Sequence, residues 1–350
     1  MASLTETAYF ARRTINWVII SVIAYILLRL FWSISVMVFL LIFPPKAPPP
    51  NHAFGKLPVI IFPQTATPSA KLTFQLQTIE GTVPKASESA TVYFMPKTAP
   101  NLLGLNKAQD FAAGLNFDPT PVQETKNIYR FNDAELPLRR LRYDIVSNNF
   151  ILRYAFEQDP SIFNEKNLPL PEAGVAEAVN LLESHNLDPD DLADGANEVS
   201  FLKLNESQLV STTSLSQADA ERIDFFRKSI GDTPVFTPYP DQAPVSIIFS
   251  GSSNAKKRIL QFAYTFWPID YQTTATYGLK TSDQAWQELQ NGGGYIARYP
   301  TSGNGAVVRN VYLAYYDSFD PQTYLQLIFV FDGDFGFRAY VPAVAPPWTE

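Results

Sequence analysis

The sequence predicts an α+β protein, with an N-terminal single transmembrane helix and then repeated units of a helix packed on an antiparallel sheet. Three observations predict it. Residues 15–43 form an apolar run whose one charge is Arg29. Residues 108–119, AQDFAAGLNFDP, and 178–189, AVNLLESHNLDP, match at an offset of 70. Each of these helical patterns is followed by short runs with the period-two alternation of strands.

The composition excludes several chemistries. The 350 residues contain no cysteine, so disulfides, thiolate metal sites and a cysteine nucleophile are out. His52 and His185 are the sole histidines, too few for a multi-histidine metal centre. Residues 1–56 carry five basic side chains against Glu6, which leaves 22 basic and 33 acidic residues for the remainder. An acidic body argues against nucleic acid, whose phosphates need clustered Lys and Arg.

Residues 1–14 read as a cytoplasmic tail and 15–43 as the transmembrane helix. At ~1.5 Å per residue that helix exceeds a ~30 Å apolar core. A signal peptide is the competing reading, but its apolar region is shorter, about 7–15 residues. Arg12 and Arg13 precede the helix and Lys46 follows it, which places the N-terminus in the cytoplasm and the body outside. Arg29 either snorkels to a headgroup or, with Ser33 and Ser35, contacts the helix of another protein. Residues 44–56 contain PPKAPPP and read as a Pro-rich, extended stalk, with His52 solvated in it.

Two units follow, a first α+β unit over 57–160 and a second over 161–272. Leu105, Ala108, Phe111, Ala112 and Leu115 share one helical face, as do Val175, Ala178, Val179 and Leu182. An Asn followed by a Pro stops each helix. Strands are expected at 127–131, 141–146, 150–156, 198–204, 244–249 and 258–266. Ile223, Phe226 and Ile230, with Gly231 beyond them, predict a helix over 216–230.

The last unit, 273–350, starts with a capping box. Thr281 is the N-cap and Gln284 the reciprocal partner. Ala285, Trp286 and Leu289 form the apolar face, and Asn291 or Gly292 ends the helix in a left-handed conformation. Glycine-rich phosphate loops precede a helix, whereas Gly292, Gly293 and Gly294 come after one. Strands follow in GYIARYP, VVRNVYLAYYDS and YLQLIFVF, and Asp332-Gly333-Asp334 predicts a hairpin.

The strings AWQELQNGGGYI, VYLAYY, YLQLIFVF and FRAYVPAV resemble the C-terminal half of the YycH/YycI type of extracytoplasmic regulatory proteins and, more broadly, a PepSY-like helix-plus-sheet unit. Ala285, Trp286, Leu289, Gly292, Gly294, Tyr315, Val341, Pro342 and Ala343 carry the resemblance, over residues 275–345. It implies a non-enzymatic envelope protein acting on a membrane sensor kinase, partly through its membrane helix.

Few residues suggest chemistry. Asp188, Asp190, Asp191 and Asp194 could bind calcium, but Leu192 and Phe201 occupy two ligand positions of the EF-hand pattern. Asp332 and Asp334 read as turn formers. His185 sits at a helix C-terminus, where the dipole favours it. Asn205-Glu206-Ser207 matches the glycosylation pattern. No catalytic set, metal site or cofactor site is expected. Three functions fit: a membrane-anchored, non-enzymatic protein binding an envelope partner, with Arg29, Ser33, Tyr315 and Tyr316 as contact residues; a module that binds peptide or glycan on an exposed tyrosine stripe of the C-terminal sheet; or, last, an envelope enzyme using carboxylates.

Overall fold

The computed structural model describes residues 4–42, 48–64, 72–303 and 305–350. It holds an N-terminal unit, Met1–Pro48, and a body, Pro49–Glu350. Among its described residues the N-terminal unit holds one helix, α1 (Leu4–Ile42), and its Arg13–Phe39 stretch of 27 residues is long and apolar enough for a membrane span or a signal sequence. Phe43 and the first residues of the Pro-rich stretch, 44–47, lie outside the described residues.

The body is α+β and mostly sheet. Its elements in chain order are β1 (Thr73–Leu76), β2 (Ser89–Phe94), α2 (Gly104–Gly114), β3 (Val122–Gln123), β4 (Ile128–Asn132), β5 (Arg139–Asp144), β6 (Phe150–Tyr154), α3 (Pro171–Ser184), α4 (Asp190–Ala193), β7 (Asn197–Asn205), β8 (Gln208–Thr212) and β9 (Ala220–Phe225). Then come β10 (Val235–Phe236), β11 (Val245–Ser250), α5 (Ala255–Arg258), β12 (Ile259–Tyr264), β13 (Asp270–Gly278), α6 (Ser282–Gln290), β14 (Tyr295–Arg298), β15 (Gly305–Tyr316), β16 (Tyr324–Gly333) and β17 (Arg338–Pro342).

Among the described residues, nine strands form one antiparallel sheet in the order β3-β4-β5-β6-β12-β11-β9-β7-β8. Segments 57–160 and 161–272 therefore share a sheet through the β6–β12 pair, where Leu152 faces Phe262. They do not form a series of separate helix-on-sheet units. Helices α2 and α3 lie on the same face and enclose one core with Phe131, Leu141, Leu152, Ile223 and Phe262.

Both helices end alike. Asn116 and Asn186 are left-handed, with φ of 61° and 54°. Phe117 N–H donates to Ala112 O and Leu187 N–H to Leu182 O, each at 2.9 Å. This closes a Schellman turn and satisfies carbonyls that the helix leaves open. The Asn in each N-[FL]-D-P exit is the residue that tolerates the left-handed region.

The predicted helix over 216–230 is absent. That segment contains β9, between β7 and β11 near the middle of the sheet. The period that wins is two: Glu221, Ile223 and Phe225 point toward the helices, while Ala220, Arg222 and Asp224 point away. Burial of Ile223 and Phe225 in the core beneath α2 and α3 decides it.

Among the described residues the second sheet has eight strands, with the antiparallel path β15-β16-β17-β14, β1 and β10 parallel to β15, and β2 joining β16 to β13. The capping box is formed: Gln284 N–H donates to Thr281 Oγ1 and Thr281 N–H to Gln284 Oε1. Gly292, at φ +83°, ends the helix. Gly294 lies so close beneath Leu289 that a Cβ there would come within 2.6 Å of Leu289 Cδ1. The glycines after α6 thus stop and seat a helix. Ala285 and Leu289 bury against the sheet with Phe331, Phe337 and Val341. The hairpin at 332–334 forms with its turn one step later, through Phe335 (φ 56°) and Gly336 (φ 75°).

The described end of the Pro-rich stretch does not stand free. Asn51 and His52 N–H both donate to Thr276 O, and Leu57 N–H donates to Trp348 O at 2.8 Å. His52 is not a solvated linker residue. Its ring stacks on Trp348 at 3.7 Å and meets Tyr277 edge-on.

Candidate functional site

Tyr315 and Tyr316 are 4% and 1% exposed, so they offer no surface to a partner. They point to opposite faces of β15, and both faces are covered. Tyr315 donates from its hydroxyl to Thr91 O at 2.9 Å. Tyr316 lies in a second cluster with Tyr295, Tyr340 and Ile328, and the 58–62 segment packs over it through Ile60 and Phe62. Burial raises the pKa of both phenols well above the ordinary range, which holds them neutral. Tyr315 and Tyr316 form no exposed stripe, because β2 covers one face and the 58–62 segment the other.

The acidic stretch after α3 is engaged inside the protein. Asp191 accepts from Arg227 Nη1 at 2.9 Å and from the Tyr271 hydroxyl at 2.7 Å, and Asp194 pairs with Lys228. Asp332 and Asp334 take Arg338 and Arg309 respectively. His185 Nδ1 lies 2.9 Å from Leu181 O at the end of α3. Arg29 and Ser33 sit four residues apart on α1, hence on one face, and both are exposed.

A site that sequence reading passed over lies on the nine-stranded sheet, on the face opposite α2 and α3. In β5 the residues Arg139, Leu141 and Tyr143 turn inward, and Arg140 and Arg142 turn outward. In β6 Phe150, Leu152 and Tyr154 turn inward, and Ile151 and Arg153 outward. Pairing brings the outward residues together. Arg142 stands opposite Arg130 on one side and Ile151 on the other, and Arg140 stands opposite Arg153. Four arginines thus occupy adjacent positions on an open sheet face. Like charges directly opposite one another destabilise a strand pair.

Glu124 relieves one pair. Its two carboxylate oxygens accept from Arg130 Nε at 3.0 Å and from Arg142 Nε at 2.9 Å. Arg153 pairs with Glu157 alone. Arg140 has no ion pair or hydrogen-bond partner among the described residues, so the Arg140–Arg153 position stays under-neutralised. Beside it, Ile128, Arg142, Asp144, Ile151 and Ala263 line a shallow hollow; Ile151 is 38% exposed, and the Asp144 carboxylate accepts from the backbone N–H of Val146 and Ser147. The alternation in PLRRLRYD and FILRY carried this arrangement, but the acidic total concealed it.

No protein-family model matches the chain, and no curated protein matches it. Among solved structures, that of an uncharacterized protein from Eubacterium rectale ATCC 33656 is similar at 14% identity, covering 73% of this chain and 82% of that one, with a TM-score of 0.37. That likeness is too weak to bear on fold or function.

Proposed function

We propose that this chain is a membrane-tethered, non-enzymatic protein whose body lies outside the cytoplasm and binds an envelope partner. Helix α1 is the tether, oriented by Arg12 and Arg13 on its N-terminal side. The carrying observation is the arginine face: four cations held side by side and partly unpaired on the open face of an acidic body. Charge of one sign kept together at a cost to the sheet is what recognition of an opposite charge requires. A membrane protein, such as the sensor kinase that the resemblance implies, is the partner class in keeping with the tether.

The test is crosslinking in intact membranes followed by purification, using the native chain, Arg29→Leu, and the double variant Arg140→Glu/Arg153→Glu. A captured membrane or envelope protein that the double variant loses supports the reading. Loss with Arg29→Leu assigns part of the contact to the helix. Capture indifferent to the arginine face, or none at all, overturns the face as the recognition site.

A further inference from the structure

We infer that the arginine face takes an extended acidic peptide segment, with a carboxylate seated between Arg140 and Arg153 and an apolar side chain two residues away on Ile151. This deepens the partner-binding reading above and rests on it.

The protein itself shows what such a slot accepts. Between Arg130 and Arg142, which are register partners, one carboxylate serves both guanidinium groups, one oxygen to each Nε. Arg140 and Arg153 are register partners in the same way. Arg130–Arg142 is a non-hydrogen-bonded pair and Arg140–Arg153 a hydrogen-bonded one, about 1 Å wider, a difference that two long arginine side chains span to reach one carboxylate. Here Glu157 reaches Arg153 alone, and a carboxylate from outside would complete the pair.

The floor selects the kind of anion. Ile151 is two residues from Arg153 on the same strand, on the same face, ~6.7 Å away. In an extended peptide, residues i and i+2 are spaced alike and face one way. An acidic residue followed at i+2 by Leu or Ile therefore matches both the slot and the hollow. A phosphate polymer has nothing to place on Ile151 and Ala263.

The test uses the full chain in phosphatidylcholine nanodiscs. The probe is a fluorescent peptide of three Glu-Gly-Leu-Gly repeats, read by anisotropy. Its control has the same composition, with the glutamates and leucines in separate blocks. Saturable binding is expected to weaken about tenfold in Arg140→Glu and in Arg153→Glu, to weaken with salt, and to be unchanged in the remote Lys203→Glu. Arg140→Glu replaces a like-charged strand pair by an opposite one, so thermal unfolding verifies that it folds. Equal binding of the block peptide, or equally tight Arg140-dependent binding of inorganic polyphosphate or of phosphatidylglycerol nanodiscs, overturns the peptide assignment. Should no peptide bind while membrane capture still needs Arg140 and Arg153, this inference falls and the partner-binding reading stands. Should both fail, both fall.

Discussion

The Nε of Arg227 donates to Asp317 at 2.6 Å, with both side chains 2% exposed. Arg227 follows a strand of the nine-stranded sheet, and Asp317 follows one of the eight-stranded sheet. The same guanidinium donates to Asp191 and to Trp267 O, and lies over the Phe266 ring at 4.0 Å. One side chain thus joins the two sheets. Arg227→Leu leaves two buried carboxylates uncompensated and is expected to lower stability by about 3–5 kcal/mol. Adding Asp317→Asn should cost less than the sum of the single changes, since the two act as a unit. Thermal unfolding of the four forms measures both.

Glu221 predicts a pH dependence. It is fully buried on β9 beneath Gly174 of α3, and neither carboxyl oxygen has a hydrogen-bond partner among the described residues. Burial pushes its pKa up to about 7, against the pull of Arg258 and with a push from Glu177. The folded state therefore holds a proton that the unfolded chain releases near 4.5. Its contribution is complete below pH 4.5 and is lost as pH rises through 7, on the order of 3 kcal/mol in all. Subtracting the unfolding free energies of Glu221→Gln from those of the native chain, across pH 4–8, isolates this slope.

Tyr295 buries a hydroxyl that has no partner among the described residues. Removing it should relieve desolvation without losing a bond. Tyr295→Phe is expected to raise stability by about 1 kcal/mol. Tyr312 is the contrast, because its hydroxyl donates to Asp332 at 2.6 Å. Tyr312→Phe should lower stability by about 1–2 kcal/mol. Denaturant unfolding of the two variants side by side decides it.

Asn116 and Asn186 hold left-handed φ at the ends of α2 and α3. Replacement by Gly should be neutral or slightly stabilising, and replacement by Ala should cost about 1 kcal/mol at either site. Similar penalties at both positions would show that the two exits carry equal weight, and calorimetry on the single variants measures this.

Local chemistry was legible in the sequence. Thr281 and Gln284 announce their own capping box, and Asn116 and Asn186 announce helix ends, because each acts on backbone within a few residues. The strands at 245–250 and 324–333 show in their apolar runs. What was hidden depends on distant partners. Whether Tyr316 faces solvent is decided by Phe62, some 250 residues earlier. Whether 220–225 is helix or strand is decided by β7 and β11 on either side. The arginine face was readable as alternation in Arg140, Leu141, Arg142 and Tyr143, but a charge total averages over faces and so erased it.

Strand β2 sets an order of assembly. Residues 89–94 are held by β13, ending at Gly278, and by the start of β16 at Tyr324. A chain made N-terminus first thus carries an unpaired strand from Phe94 until β13 is complete at Gly278, 184 residues later (278 − 94). Such distant pairing is slow, because the loop must close before any contact repays it. The nine-stranded sheet, whose strands are all present once Tyr264 has been made, is free to form first. The eight-stranded sheet is completed last, and until β13 and β16 are made the unpaired backbone edges of β2 are open to neighbouring chains.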